Sequence, residues 1–187
     1  MKILLINGKK RSGKDYSALR LKTIIEDMGK TVQIMSFADP IKEIVASSFG
    51  ISLTMLDDFK NCEEDINIDI EGESVAISNF RLFIQRFGTD AMKAQFGEFV
   101  WSDLLYEKAH NSLADVVIVP DFRFRTEYLK ESITVKIKND TVKNDDSHQS
   151  ENDLNNFTFD FTLDNTNHAL KDVDFKKFII GSGILND

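Results

Sequence analysis

Residues 2–15 read KILLINGKKRSGKD, an apolar run that leads into a basic, glycine-containing loop. The run Lys2 to Asn7 is typical of a buried strand, and the residues after the loop are apolar at helical spacing. Gly8, Gly13 and Lys14 fit G-x-x-x-x-G-K, the core of the phosphate-binding loop. A loop between strand and helix directs backbone N–H groups at a phosphate chain, while the lysine reaches the outer phosphates.

Two features of the loop depart from the usual pattern. Asp15 stands where the motif has Ser or Thr, so its carboxylate either holds Mg²⁺, directly or through a water, or is only a helix N-terminal acid favoured by the dipole. Lys9, Lys10 and Arg11 add three positive charges. Such a cluster would stabilise a phosphoryl group passing between two phosphorylated molecules, which suggests a kinase, although a solvated basic turn is the alternative.

Composition excludes several classes of protein. The 187 residues carry 23 Lys+Arg against 31 Asp+Glu, a net charge of −8. A general nucleic-acid binder would need a basic surplus. The single cysteine, Cys62, forms no internal disulfide, and the run Ile3 to Ile6 is too short for a membrane span or signal peptide. We expect a soluble, cytoplasmic, single-domain protein.

The first half of the chain continues with alternating elements. Thr31 to Phe37 predicts a second strand, and Asp39-Pro40 begins a helix that ends near Phe49. Residues 57–73 are rich in acids around isolated isoleucines and predict a solvated surface insert. Residues 79–109 predict helix again, with a break near Gly88.

The second half predicts a sheet core. Val116 to Pro120 is the most continuous apolar run and predicts a central parallel strand. Ile133 to Lys138 and Phe157 to Leu163 predict further strands, and a last helix carries Leu170 to Phe178. Strands alternating with helices predict a doubly wound α/β fold of three αβα layers, with its ligand beyond the carboxyl ends of the strands.

Seven segments in this order resemble phage deoxynucleoside monophosphate kinases, and the resemblance spans most of the chain. They are GKKRSGKD (8–15), SFADPIKE (36–43), LFIQRFGTDAMK (82–93), the lone Trp101, PDFRFRTE (120–127), HQSE (148–151) and FDFTLDN (159–165). The GKD ending is also found in animal-type phosphomevalonate kinases. Both belong to the P-loop nucleoside monophosphate kinase group, so the resemblance implies one kinase domain over 1–187, with an acceptor-binding insert at about 39–110 and a lid-like loop at about 139–156.

The resemblance implies a role for individual residues. Loop residues would hold ATP, with Lys10 and Arg11 as transfer-site cations and Asp15 on the magnesium side. This ATP-binding set comprises Gly8, Lys9, Lys10, Arg11, Ser12, Gly13, Lys14, Asp15 and Tyr16. The catalytic set comprises Lys10, Arg11, Lys14, Asp15 and Arg123.

A second set would bind the acceptor nucleotide. It comprises Asp39, Lys42, Gln85, Arg86, Trp101, Asp121, Arg123 and Arg125. Asp121 would also act on magnesium through water, and Gln85 and Trp101 would contact or stack on the base. The alternatives are surface salt bridges for the arginines and a core position for Trp101.

The lid-like loop departs from the family pattern because it lacks arginines. Its basic groups are Lys138, Lys143 and His148, which puts the usual lid contribution in doubt unless Arg125 or Lys143 substitutes. His148 and Glu151 lie in the HQSE motif, where a serine could equally cap a short helix.

These features predict ATP- and Mg²⁺-dependent phosphorylation of deoxynucleoside 5′-monophosphates to diphosphates. The alternatives are a phosphomevalonate-type kinase, or an ATP-binding switch or degenerate kinase without acceptor activity. The expected partner is the monophosphate substrate, with no nucleic acid polymer and no membrane. The resemblance also implies a homodimer, although no apolar stripe demands one, and a location in the host cytoplasm for a phage protein.

Overall fold

A computed structural model describes residues 1–62, 64–70, 72–142 and 153–186. The chain forms two compact units. We call Met1–Phe37 with Leu105–Asp187 the sheet unit, and Ala38–Leu104 the insert unit.

The sheet unit is built on five parallel strands. They are β1 (Lys2–Gly8), β2 (Val32–Ile34), β5 (Val116–Val119), β6 (Ile133–Lys138) and β7 (Phe161–Asp164). Their order is β2-β5-β1-β6-β7, so β1 is central. Leu4 lies beside Ile118 of β5 and Ile133 of β6. Because all strands are parallel, their carboxyl ends share one edge, and the segment that follows β1 leaves from its middle.

Helices flank this sheet. On one face, α1 (Lys14–Asp27) and α7 (Asp172–Ser182) bury an apolar core against the strands. Leu4 and Ile6 of β1 point into this core, whereas Leu5 is buried in the opposite direction. All four residues of β5 are buried. The expected mostly parallel α/β sheet with flanking helices is confirmed.

The insert unit holds most of the remaining elements. They are α2 (Asp39–Phe49), α3 (Leu53–Asn61), β3 (Ile66–Ile70), β4 (Glu73–Ile77), α4 (Phe80–Arg86), a π-helix (Phe87–Met92), α5 (Lys93–Phe96) and α6 (Val100–His110), which crosses the unit boundary. β3 and β4 pair as an antiparallel hairpin. The core of the unit centres on Leu56 and Phe80, which are almost fully buried.

The expectation of a solvated insert over 57–73 is wrong. Residues 57–61 continue α3, and Ile66–Ile70 forms the first hairpin strand. Its sequence INIDI alternates at period two, so Ile66 and Ile68 are buried in the insert core while Asn67 and Asp69 face outward. The surrounding acids conceal this short alternation.

Two other boundaries differ from expectation. The last strand covers Phe161–Asp164 only, because Asp160 turns back to bind Thr134 through both its backbone N–H and its carboxylate. Helical structure over 79–109 is interrupted by the π-helix, which contains Gly88, and again at Gly97, whose φ is +95°.

Candidate functional site

The phosphate loop joins the central strand β1 to α1. Ser12 N–H donates to the Lys9 carbonyl oxygen at 3.0 Å, which closes a tight turn. Arg11 has φ 65° and Gly13 has φ 93°, so two left-handed residues bend the chain back toward the helix. The loop predicted from sequence is therefore present as strand, turn and helix.

Both glycines of the motif occupy places where a side chain would collide. A Cβ on Gly8 would meet Ser12 Oγ, and it would lie 3.1 Å from the Ile137 carbonyl oxygen of β6. A Cβ on Gly13 would meet the amide of Asn165. The compact loop therefore depends on glycine at both positions.

The first turn of α1 brings the loop cation into place. Lys14 is buried to 9% exposure, and its Nζ lies 3.7 Å from the Asp15 carboxylate, whose side chain is 79% exposed. Ser17 donates from both its N–H and its Oγ to the Gly13 carbonyl oxygen, at 2.8 Å each. Lys9, Lys10, Arg11 and Tyr16 are exposed at the surface of the loop.

These residues fit an anionic ligand such as the phosphate chain of a nucleotide. The helix start supplies N–H donors and a positive dipole end, and Lys14 adds a charge with little competing water. Ser12 Oγ is buried and makes no hydrogen bond within the described residues. Asp15 is open enough to reach a magnesium shell, and Mg²⁺ on phosphates needs only one or two protein carboxylates. Among the described residues, no group of three or more His, Cys, Asp or Glu side chains is placed to hold a metal ion.

Asp121 follows β5 and is fixed by hydrogen bonds. Its carboxylate accepts from Ser36 Oγ and, at 3.0 Å, from Phe37 N–H, both just beyond β2. The side chain therefore joins the carboxyl ends of two neighbouring strands. A role toward magnesium through water stays a prediction.

Arg123 and Arg125 lie in the same segment of the sheet unit. The backbone N–H groups of Arg123 and Phe124 donate to Glu127 Oε2 at 2.7 and 2.9 Å, and Glu127 is buried. Glu127 thus fixes the backbone that carries Arg123. Arg125 is tied to Asp153, to whose side chain it donates from its N–H at 2.7 Å and to whose carbonyl oxygen it donates from Nε at 3.3 Å.

In the insert unit, Asp39 begins α2, and Lys42 lies one turn later on the same helix. Lys42 Nζ is 3.1 Å from Asp57 of α3, so its charge is already paired. Gln85 and Arg86 end α4, and Arg86 is exposed. The binding roles predicted for these four residues remain predictions.

Trp101 lies in α6 and is 3% exposed. Its Nε1 donates to the Gly88 carbonyl oxygen of the π-helix at 2.9 Å. A buried ring with a satisfied N–H offers no open face to a base, so the core interpretation fits this geometry.

The lid-like loop is described only at its ends. Lys143, His148 and Glu151 lie outside the described residues. Lys138 Nζ is 2.7 Å from Asp140, and this hydrogen-bonded pair raises the pKa of the lysine.

Sequence reasoning missed two residues that shape the site, Glu127 and Asn165. Asn165 is buried after β7, and its Nδ2 donates to the Ser12 carbonyl oxygen at 2.8 Å. Their partners lie far away in sequence or on the backbone, so no residue pattern indicates them.

The described residues contain no helix with the length and apolar character needed to cross a bilayer.

Comparisons with known proteins do not assign this chain to a family. No family model matches the chain, and no curated protein matches it. Seventeen chains of solved structures match. One is cobyrinic acid a,c-diamide synthase from Mycobacterium smegmatis, solved with a bound ATP analog and magnesium, at 16% identity and a TM-score of 0.44 over 97% of this chain and 82% of that one. A likeness of this extent assigns neither a family nor a ligand.

Proposed function

We propose that this protein is an ATP- and Mg²⁺-dependent phosphotransferase that converts deoxynucleoside 5′-monophosphates to diphosphates. The observation that carries the proposal is the loop between β1 and α1, with left-handed Gly13 and buried Lys14 at the centre of the carboxyl edge. The order of the sequence segments, from GKKRSGKD to FDFTLDN, supports the acceptor class.

The proposed mechanism needs positioning and charge more than covalent chemistry. The N–H groups of the loop and Lys14 would bind the phosphate chain, and Lys10 and Arg11 would neutralise charge that develops during transfer. Mg²⁺, when bound, would neutralise further charge on the phosphates, and Asp15 is the acidic residue of the segment GKKRSGKD that would hold it. An acceptor phosphate is already an anionic nucleophile, so no general base is required.

Arg123 supports a transferase more than a binding protein. Its backbone is held by buried Glu127 immediately beyond β5, at the strand edge where ligands of such sheets lie. A protein that only binds ATP has no use for a second cation held in this way. We assign Arg123 to the phosphate of the acceptor.

The test is a coupled assay of ADP release with ATP and Mg²⁺, with dGMP, dTMP, dCMP, dAMP, the matching ribonucleotides and mevalonate phosphate as acceptors. Turnover that depends on one or a few deoxynucleotides supports the proposal. Turnover with mevalonate phosphate alone would replace it with the phosphomevalonate-type alternative. ADP release at the same rate with and without each acceptor indicates an ATPase or switch. ATP binding without any ADP release indicates a degenerate kinase.

A further inference from the structure

Asn165, the residue after the edge strand β7, is joined to the phosphate loop by a buried bond. Its side chain is 4% exposed, and Nδ2 donates to the Ser12 carbonyl oxygen at 2.8 Å. Because the bond is buried, water does not compete for either group, and loss of the donor would leave an unpaired carbonyl in the interior.

Both the backbone and the side chain of Asn165 make further hydrogen bonds. Asn165 N–H donates to the Lys138 carbonyl oxygen of β6 at 2.7 Å, and Oδ1 accepts from Leu170 N–H at 3.3 Å. The next turn contains Asn167 and His168 with φ of 55° and 56°, a conformation that residues other than glycine rarely adopt. The backbone thus adopts an unfavourable conformation in the turn that follows Asn165.

The bond to Ser12 fixes a direction that matters for anion binding. In a trans peptide the C=O and N–H bonds point in opposite directions. The Ser12 carbonyl oxygen points at Asn165, so the Gly13 N–H of the same peptide points away from Asn165. If this peptide turned over, a carbonyl oxygen would replace an N–H on that side, and it would repel a phosphate.

Steric contact reinforces the same arrangement. The Asn165 amide fills the space that a Cβ on Gly13 would need. The left-handed Gly13 and the side chain of Asn165 therefore fit together as one packed pair, although Gly13 alone belongs to the recognised motif.

We propose that Asn165 is a positioning residue of the phosphate site, which holds the Ser12 carbonyl oxygen away from the bound anion and keeps the Gly13 N–H directed toward it. This inference rests on the proposed function, because it requires the loop to bind a phosphate chain. It extends that function to a residue outside the loop and outside the first half of the chain.

The experiment compares tripolyphosphate binding by the full-length wild type, Asn165→Ala and Asn7→Ala, using titration calorimetry. Asn7 is a matched control, since its Nδ2 donates to the Phe122 carbonyl oxygen at 2.9 Å without touching the loop carbonyl. We expect Asn165→Ala to weaken tripolyphosphate binding about tenfold. Asn7→Ala should lower the thermal unfolding midpoint to a similar extent and leave tripolyphosphate binding unchanged.

A second variant covers the case in which Asn165→Ala does not fold. Asn165→Leu keeps the approximate size of the side chain and adds no charge but removes the donor to Ser12, so it should fill the buried site and lose a similar amount of affinity. In the transfer assay, the KM for ATP should rise while the KM for the acceptor stays constant, a split that general destabilisation would not produce.

The outcomes separate this inference from the proposed function. Affinity for tripolyphosphate that is unchanged in Asn165→Ala, or in Asn165→Leu where the alanine variant is unfolded, overturns the inference and leaves the kinase proposal standing. If tripolyphosphate binding depends on Asn165 but the wild type transfers no phosphoryl group, the inference is supported and the kinase proposal is overturned. A wild type that binds neither tripolyphosphate nor ATP overturns both.

Discussion

The phosphate loop and the insert unit hold their predicted functional groups in different ways. In the loop, the predicted binding groups are backbone N–H donors and one lysine, and two glycines and the helix start allow its compact backbone. In the insert unit, Lys42 is paired with Asp57, and Trp101 is buried with its N–H bonded. Local sequence identifies a site made of backbone groups, whereas packing with distant residues decides whether a side chain is available.

The largest expected effect breaks the loop side of this comparison. Lys14→Ala should lower kcat for phosphoryl transfer by about 10³-fold or more, because it removes the buried cation that we propose binds the phosphate chain. The measurement is the coupled ADP-release assay. The matched control is Lys22→Ala on the same helix, where the Lys22 Nζ lies 3.6 Å from the Glu26 carboxylate. Equal loss in both variants would contradict the role of Lys14.

Arg123→Ala should produce the next largest effect. Loss of a charge-assisted bond to the acceptor phosphate should raise its KM by about 10- to 100-fold, with ATP affinity unchanged. Steady-state kinetics with each substrate varied in turn measure this. Arg20→Ala is the control, since Arg20 of α1 forms an ion pair with Asp172 of α7, away from the phosphate loop. Unchanged acceptor kinetics would show that the second anion site lies elsewhere.

Trp101→Phe tests whether the insert unit uses its tryptophan for folding or for binding. It removes the bond to the Gly88 carbonyl oxygen and should lower the free energy of unfolding by about 1–3 kcal/mol. Acceptor KM should not change. Chemical denaturation followed by circular dichroism measures the first quantity. A rise in KM without loss of stability would return Trp101 to the binding site.

Asp57→Asn sharpens the comparison by releasing a side chain that the insert unit holds. Asp57 also lies 3.7 Å from Lys60, whose pKa is lowered chiefly by burial and then by nearby Lys42. If Lys42 binds the acceptor phosphate, its release should lower the acceptor KM by up to about fivefold. Asp58→Asn, on the same helix, is the matched control. A higher KM in Asp57→Asn than in Asp58→Asn would count against Lys42.

The smallest expected effect lies at the amino edge of the sheet, opposite the loop. Hydrogen bonds from Thr31 N–H and Oγ lower the pKa of Asp115. A lowered pKa gives stability that is present at neutral pH and is lost as the carboxylate protonates below about pH 4. Thr31→Val should therefore be less stable than wild type at pH 7, with a smaller difference at pH 3. Thermal unfolding at both pH values measures this, with Thr23→Val as control.

Most of the sheet unit could be predicted because its signals are local. The apolar run before Gly8 and the run Val116 to Val119 are typical of buried strands, and the structure places them side by side. The hairpin at 66–77 escaped prediction because its buried residues Ile66 and Ile68 stand among many acids. Burial was decided there by Phe80 and Leu56, which are separate in sequence.

The candidate site divides in the same way. Gly13 and Lys14 could be identified from their spacing, but Asn165 could not, because its partner Ser12 lies at the other end of the chain. Nor could the sequence indicate that Glu127 accepts hydrogen bonds from the backbone N–H groups of Arg123 and Phe124. Hydrogen bonds to backbone groups leave no pattern in the residues they serve.

The central position of β1 also has a consequence for synthesis on the ribosome. β1 is made first, yet both of its neighbours, β5 and β6, are made after the whole insert unit. Lys2 pairs with Val116, so the first strand emerges long before any partner strand exists. The apolar strand β1 therefore stays unpaired in the nascent chain while residues 38–104 are translated. During this interval its exposed edges are most prone to aggregation, and a chaperone would have its largest effect.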